Sequence, residues 1–433
     1  MALAQEYRRG LVQTSSRNWV PQAGNADGSM NVATTGTALD AFARTRMSEP
    51  ETIFDSKQIF DNLPLVWDDQ EVSGSGTTSV HSVNKAATTM GVANLTAGNR
   101  TRQTFMRFNY QPGKSQLILM TARMSASADA GIKGSVGIYD DENGVFFTND
   151  GGTMKAVTRS YVTGSAVDTE ITQANWNGDK LDGAGASGAT LSALNTQILF
   201  FDMEWLGVGN VRMGFFIDGM PVVAHTFRNA NAMPVVYMST PNLPLRYEIE
   251  NDGTGGAVDM DHICSTVISE GGAEDRGILR YVSTAGTHVD CNVVNTIYAI
   301  VGIRLKSTHL GASIKIQRIN MQIQTASETG EWIWILNPTV AGTFTYADET
   351  NSAVQSAKGA TANTVTNGTH ITGGYGESTS GGGGSGGVVS PIGNAILLGS
   401  TISGTPDTMV LCWRPTTGTN QDIEGSITYR ELV

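Results

Sequence analysis

Charge is scarce in this chain. Asp, Glu, Lys and Arg make up 16% of its 433 residues, against roughly 25% in an ordinary soluble domain. The charge present leans acidic, with 28 Lys and Arg against 40 Asp and Glu and a formal net charge of −12. No basic stripe forms, and phosphate binding needs one, so nucleic acid is not an expected partner. Cysteine is nearly missing: Cys264, Cys291 and Cys412 are far apart and odd in number. With no C-x-x-C pair, zinc-ribbon and dithiol redox motifs are excluded, and buried free thiols are expected. No apolar run approaches the roughly 18 residues a membrane helix needs, so no membrane partner is expected. The start, Met1-Ala2-Leu3-Ala4-Gln5-Glu6-Tyr7-Arg8-Arg9, lacks the apolar stretch of a secretory signal, and synthesis in a cytoplasm without export by that route is expected.

What is abundant is glycine, at 51 residues, together with Thr, Ser and Asn. Low charge with many turn-forming residues suits short strands joined by tight turns, and surfaces covered by neighbours in large assemblies. At about 150 residues per domain the length suggests two to three domains. Two β-sandwiches behind an extended N-terminal arm fit best, with the arm at 1–71, the first sandwich at 72–272 and the second at 273–433.

The arm has no sustained hydrophobic period, apart from a short helical piece expected at 37–46. Its end gathers Phe54, Ile59, Phe60, Leu63, Leu65 and Trp67. Groups of this size need burial, on the chain's own domain or on a neighbour, which makes them docking candidates.

The clearest strand pattern runs over 197–227. Leu199, Phe201, Met203 and Trp205 alternate with Phe200, Asp202 and Glu204; Val211, Met213, Phe215 and Ile217 alternate with Arg212, Gly214, Phe216 and Asp218. Asp218-Gly219 is a hairpin turn, so three consecutive antiparallel strands are expected. Residues 163–193 read as a long excursion. In the second half, Ile297 to Leu305 alternates, and Ile319, Met321 and Ile323 alternate with Arg318, Asn320, Gln322 and Gln324. Ile314 and Ile316 have the opposite parity, which predicts a bulge near 317–318. Trp332-Ile333-Trp334-Ile335-Leu336 is apolar on both faces and reads as a central strand. Residues 348–390, with Gly381-Gly382-Gly383-Gly384-Ser385-Gly386-Gly387, read as a mobile polar loop.

Catalytic and metal motifs were sought in context. Gly383-Gly384-Ser385-Gly386-Gly387 spells G-x-S-x-G but lacks the strand-to-helix turn of a nucleophile elbow. None of the six histidines has another His three or four residues away, so no paired metal ligands are visible. Asp259-Met260-Asp261-His262 reads as an exposed turn. Asp140-Asp141-Glu142-Asn143-Gly144 reads as a hairpin turn and departs from EF-hand spacing. Asp202 and Glu204 share a strand face, an arrangement open to glycosidase chemistry, though a plain solvent-facing strand explains it as well. Two aromatics stand in polar surroundings as sugar-stacking candidates: Trp176 in Ala174-Asn175-Trp176-Asn177-Gly178-Asp179, and Tyr375 in Gly373-Gly374-Tyr375-Gly376.

Trp205-Leu206-Gly207 followed by Val211-Arg212-Met213-Gly214-Phe215-Phe216-Ile217-Asp218-Gly219 resembles the hairpin of concanavalin-like and laminin-G-like jelly rolls. That fold hosts many functions. The chain is also similar to structural proteins of tailed bacteriophages and other aquatic viruses. The similarity lies in Arg46-Met47-Ser48-Glu49-Pro50 through Trp67-Asp68-Asp69, in Arg102-Gln103-Thr104-Phe105-Met106-Arg107-Phe108-Asn109-Tyr110-Gln111-Pro112-Gly113-Lys114, and in Tyr237-Met238-Ser239-Thr240-Pro241-Asn242-Leu243-Pro244-Leu245-Arg246-Tyr247-Glu248. The resemblance implies a virion component: head decoration, head fibre or tail-associated protein.

The sequence thus predicts an all-β, non-enzymatic virion structural protein of two jelly-roll-like antiparallel sandwiches. It is expected to work through contacts with capsid or tail components, as a homo-oligomer and without cofactor or metal. The alternative is a lectin-like adhesin or receptor-binding protein recognising host-surface carbohydrate.

Overall fold

Period-two alternation can be satisfied only if each strand turns its apolar side onto a second sheet. The computed structural model describes residues 49–125, 129–378 and 397–432, and the backbone of 11–13 and 19–21. It divides into a unit of residues 1–49 and a unit of residues 50–433. In the first, Leu11–Gln13 pairs antiparallel with Trp19–Pro21. The helical piece expected at 37–46 lies outside the described residues. Elsewhere, regular structure among the described residues is β-strand with two short 3-10 turns. The larger unit is built of two jelly-roll-like antiparallel sandwiches, as expected.

The first sandwich faces a seven-stranded sheet with an eight-stranded one. The seven-stranded order is Val167–Thr172, Thr153–Ser160, Gly144–Asp150, Ile132–Tyr139, Leu245–Asn251, Gly98–Thr104, Trp67–Gly74. The facing sheet runs Met220–Phe227, Val211–Ile217, Thr196–Met203, Gln116–Arg123, Val258–Ser269, Ala87–Val92, Thr77–Ser82. Its long strand Val258–Ser269 pairs with Ala87–Val92 over its first half and with Glu51–Lys57 over its second. The three strands expected over 197–227 form as consecutive antiparallel neighbours. Phe201, Met203, Met213 and Phe215 are fully buried, while Trp205 and Ile217 pack on the rim of the core. Asp218 and Gly219 both take positive φ, 51° and 76°, as the primed two-residue hairpin turn demands.

Three boundaries differ from the sequence reading. The arm does not end at 71: Glu51–Lys57 and Trp67–Gly74 are sandwich strands, one in each sheet. The excursion at 163–193 contains Val167–Thr172, an edge strand whose Asp168 and Glu170 hid the pattern behind ion pairs with Arg159 and Lys155. The polar stretch from 348 contains Val354–Lys358, Val365–Thr366 and Thr369–Glu377. Its remainder from 379, with the glycine run, lies outside the described residues.

The second sandwich packs a four-stranded sheet on a six-stranded one. In the four-stranded sheet, Gln421–Leu432 is the spine. Ser313–Ile323 pairs along one edge, and Ile278–Ser283 and then Val289–Cys291 pair along the other. The expected bulge falls between Ile316 and Arg318. The six-stranded order is Ala347–Asp348, Val354–Lys358, Tyr298–Leu305, Thr408–Pro415, Thr329–Leu336, Thr369–Glu377. Thr329–Leu336 is buried on both faces, Trp332 and Trp334 in the main core and Ile333 and Ile335 in a second cluster. It is the neighbour of an edge strand, not the centre; the segment from 339 to 366 supplies the second cover, through Val340, Phe344 and Val365. The two sheets approach closely at Gly425, where a Cβ would stand 2.8 Å from Ile300 of the facing sheet. The sandwiches meet through hydrogen bonds such as the backbone bond from Ser400 N–H to Phe105 O at 3.0 Å and that from Ile402 N–H to the Asp68 carboxylate at 2.7 Å.

Candidate binding face

The residues singled out from the sequence scatter over the molecule. Phe54 and Trp67 are core residues, with ring centroids 6.3 Å apart and Phe54 5.0 Å from Phe108. They are therefore not docking groups, because the strands that carry them are hydrogen-bonded into the two sheets. Leu63 packs partly against the same core. Between the two anchors the chain makes a tight turn, with Val66 N–H bonded to Leu63 O at 3.0 Å. That turn leaves Ile59 and Leu65 exposed and Phe60 86% exposed. Behind it sits a buried polar knot. Arg102, fully buried, donates to Asn62 O at 2.7 Å and Gln58 Oε1 at 3.4 Å, and pairs with Asp69. Its Nε faces His262 Nδ1 at 3.4 Å, and the His262 ring stacks on Tyr247 with centroids 3.9 Å apart. Burial, then the nearby Arg102 charge, holds His262 well below the ordinary histidine range. Asp259 to His262 is thus a stretch of strand Val258–Ser269, not an exposed turn.

Trp176 is not a sugar platform. It is 3% exposed, packs against Phe147 and Phe215 at 5.6 and 6.3 Å, and donates its Nε1–H to Ile171 O at 3.1 Å. The polar residues around it form the loop that folds the ring inward. Tyr375 is 80% exposed, on the edge strand opposite Glu331, which pairs with Arg414. Asp202 and Glu204 do not act as a free pair. Asp202 is buried and paired with Arg212; burial raises its carboxyl above the usual range, and Arg212 opposes that. Glu204 lies past the end of the strand, exposed. Asp140 to Gly144 is the hairpin turn expected, with Asp140 Oδ1 accepting from the N–H groups of Glu142 and Asn143 at 2.8 Å. Cys291 and Cys412 are buried free thiols, their ionisation pushed up by burial, and Cys264 is half-buried.

A different set of residues converges on the outer face of the four-stranded sheet. The spine strand alternates Ile423 and Ile427 inward with Asp422, Glu424, Ser426 and Thr428 outward. Beside it, Ser313–Ile323 turns Arg318, Asn320 and Gln322 outward, opposite Thr428, Ser426 and Glu424 respectively. On the other edge Tyr281 stands opposite Thr428 and Ser283 opposite Ser426. Of these, Tyr281, Ser283, Asn320, Gln322, Glu424 and Ser426 line a shallow trough of about 220 Å³. Tyr281 is 71% exposed at its side. Glu424 is held by Gln324, whose Nε2 donates to it at 2.6 Å. The amides of Asn320 and Gln322 carry no protein partner among the described residues, so each offers a free N–H donor and a free carbonyl acceptor. A larger cavity, about 480 Å³, lies where the sandwiches meet. Its charged groups are already engaged: Lys315 with Asp275 at 2.6 Å, and Glu51 with Ala273 N–H at 2.8 Å. We read it as a packing gap, and the trough as the face with unspent hydrogen-bonding groups.

None of the trough residues was singled out from the sequence. Half of the pattern was visible in the outward amides at 318–324. What joins them to Tyr281 and Glu424 is pairing between strands some 100 to 150 residues apart.

No family model matches the chain, and no curated protein matches it. Solved structures with partial likeness include a Bacillus licheniformis β-glucanase, at 10% identity, TM-score 0.34, covering 49% of this chain and 96% of that one. Another is the CBM2 module of Lactobacillus casei BL23 phage J-1 evolved Dit, at 6% identity and TM-score 0.34, covering 52% and 98%. Peanut lectin is similar at 12% identity and TM-score 0.28, covering 51% and 98%.

Proposed function

We propose that the chain is a non-enzymatic binding protein that recognises carbohydrate on the outer face of its four-stranded sheet. The observation that carries this is Tyr281, exposed on an edge strand beside a trough edged by Asn320, Gln322, Glu424 and Ser426. A sugar ring offers a patch of C–H groups flanked by hydroxyls. An aromatic face takes the first, and amides and a carboxylate take the second. The test is a panel of soluble polysaccharides in affinity electrophoresis, followed by calorimetry on any that retard the protein. Tyr281→Ala should weaken binding about tenfold, the loss of roughly one aromatic contact, and incubation should leave the polysaccharide intact. Retardation by no member of the panel, or equal binding by Tyr281→Ala, overturns the reading.

A second reading concerns where the protein works. Its resemblance to bacteriophage structural proteins implies a virion, with capsid or tail components as partners. One observation favours an attachment point: Phe60, flanked by Ile59 and Leu65, is exposed on a turn clamped at both ends by buried Phe54 and Trp67. Holding an apolar group outward on a fixed turn lowers the ordering cost of docking. Phe60→Ser should leave the fold intact and reduce incorporation into particles; undiminished incorporation removes this attachment point.

A further inference from the structure

The trough ends, along the spine strand, in a group of a different kind. Asp290 of Val289–Cys291 and Asp422 of Gln421–Leu432 are direct cross-strand partners. Both are outward-facing, because Val289, Cys291, Gln421 and Ile423 on either side of them are buried. Like charges directly opposite each other on neighbouring strands are destabilising. Among the described residues no Lys or Arg comes within ion-pair distance of either carboxylate. The neighbour they have is His288, with Nε2 3.2 Å from Asp290 Oδ1 and 3.8 Å from Asp422 Oδ1. One imidazolium can offset only one of the two negative charges.

We infer that His288, Asp290 and Asp422 form a binding site for a divalent cation of the zinc or manganese class. One ligand atom from each of the three lies within 4.8 Å of the others. Two ligands about 2.0–2.2 Å from a shared tetrahedral zinc stand roughly 3.3 Å apart; the His288–Asp290 separation of 3.2 Å matches that, and the His288–Asp422 separation of 3.8 Å is looser. The donor set decides the class: two carboxylates neutralise a doubly charged ion, the imidazole nitrogen suits zinc, and the carboxylate oxygens admit manganese. The ligands are also oriented from behind. Thr361 Oγ1 donates to Asp290 Oδ2 at 3.3 Å, leaving Oδ1 toward His288. Asp422 is fixed by its N–H to Thr325 Oγ1 at 2.8 Å and by Gln324 N–H to its carbonyl at 2.9 Å. The Thr361 bond to the Asp290 carboxylate is the kind of support that holds a metal ligand in place, while the bonds of Asp422 fix the backbone that carries its carboxylate. Three protein ligands leave at least one position open, so water or a ligand atom completes the coordination. The site also bears on the trough. His288 closes the turn that starts at Ser283 and Gly286, both on the trough wall, so a bound ion ties that wall to the spine strand.

The site stands without the carbohydrate reading and is tested with the metal alone. Chelator-treated full-length protein is titrated with ZnCl₂ and with MnCl₂ by calorimetry, and its unfolding is followed with and without each ion. One ion per chain is expected, with a raised melting temperature. Asp290→Asn and His288→Ala should each weaken binding at least tenfold, while Glu142→Gln, exposed on the hairpin turn of the first sandwich, should not. Asp290→Asn should melt at or above wild type without metal, because it removes a like-charge pair, and should gain nothing from metal. Two results overturn the proposal: no binding by wild type, or binding unchanged in the His288→Ala, Asp290→Asn double variant, which would mean an adventitious ion only.

Discussion

Replacing Phe54 by Ala and, separately, Phe60 by Ser distinguishes an anchored strand from a docking arm. The two residues are six positions apart and chemically alike, yet Phe54 is 8% exposed and Phe60 86%. Phe54 sits on Glu51–Lys57, which is hydrogen-bonded to Val258–Ser269, and its ring touches those of Trp67 and Phe108. Truncating a buried Phe costs about 3–5 kcal/mol, the lost transfer energy plus the cavity left behind. At 1.4 kcal/mol per factor of ten, that is over a hundredfold in the folding equilibrium of the first sandwich. Phe60 has almost nothing to lose, so Phe60→Ser should change stability by about 0.5 kcal/mol or less. Urea unfolding followed by tryptophan fluorescence reads both, with Trp67 beside Phe54 as a local reporter. Hydrogen exchange over 51–57 shows whether the strand opens by itself. An unchanged midpoint and unchanged exchange in Phe54→Ala would refute the reasoning, since the strand would then be peripheral and the whole aromatic cluster free for a partner.

Phe215→Ala should destabilise the first sandwich by a similar 3–5 kcal/mol, because Phe215 is fully buried against Phe147 and Trp176; a midpoint shift worth under 1 kcal/mol in urea unfolding would contradict that packing. His262 should make stability depend on pH. Its folded-state affinity for protons is depressed, so its contribution is fully present above the unfolded histidine value of about 6.5. The contribution is lost as pH falls below that, by up to about 1.4 kcal/mol per pH unit. His262→Phe should flatten the stability profile between about pH 6.5 and 5, where carboxylates have not yet begun to protonate in bulk; an unaltered slope in that window would show that His262 is not the group responsible.

The sequence was legible where one strand carries its own pattern. The meander over 197–227, the Asp218-Gly219 turn and the bulge before Arg318 are all local consequences of alternation and of φ at single residues. It was misleading where partners lie far away in the chain. Glu51–Lys57 shows no clear alternation, because Ser56 and Gln58 take inward positions normally given to apolar groups. Gln58 can do so because its side-chain oxygen is met by Arg102 and by Thr88, whose Oγ1 donates to it at 3.0 Å. Trp176 looked like a sugar platform since its neighbours are polar, but those neighbours spend their polarity on the loop itself and on the adjoining strand Met220–Phe227. The Asn177 amide, for instance, donates to Thr226 O at 2.9 Å and accepts from Thr226 N–H. The trough and the His288 group are assembled by register between strands, which no single stretch of sequence contains.

That register also argues which sandwich does the recognising. The seven-stranded sheet of the first sandwich has a polar outer face too, but its groups answer one another. Lys155 bridges Asp150 and Glu170, Arg159 pairs with Asp168, and Arg246 reaches Asp141 and Glu248. Asn99 donates to Glu248 at 3.0 Å, and the Tyr139 ring lies stacked on Phe146 with Arg159 and Arg246 over its faces. A ligand arriving there would have to break protein–protein hydrogen bonds to make its own, and the net gain of such an exchange is small. On the four-stranded sheet the arrangement is reversed. Among the described residues the amides of Asn320 and Gln322 have no partner, Tyr281 is exposed, and Asp290 and Asp422 face each other across the strands with only His288 beside them. A ligand or ion that meets these groups displaces only water. On the reading proposed above, this difference favours the four-stranded sheet over the seven-stranded one as the recognising face, and gives the first sandwich the part of holding Phe60 outward.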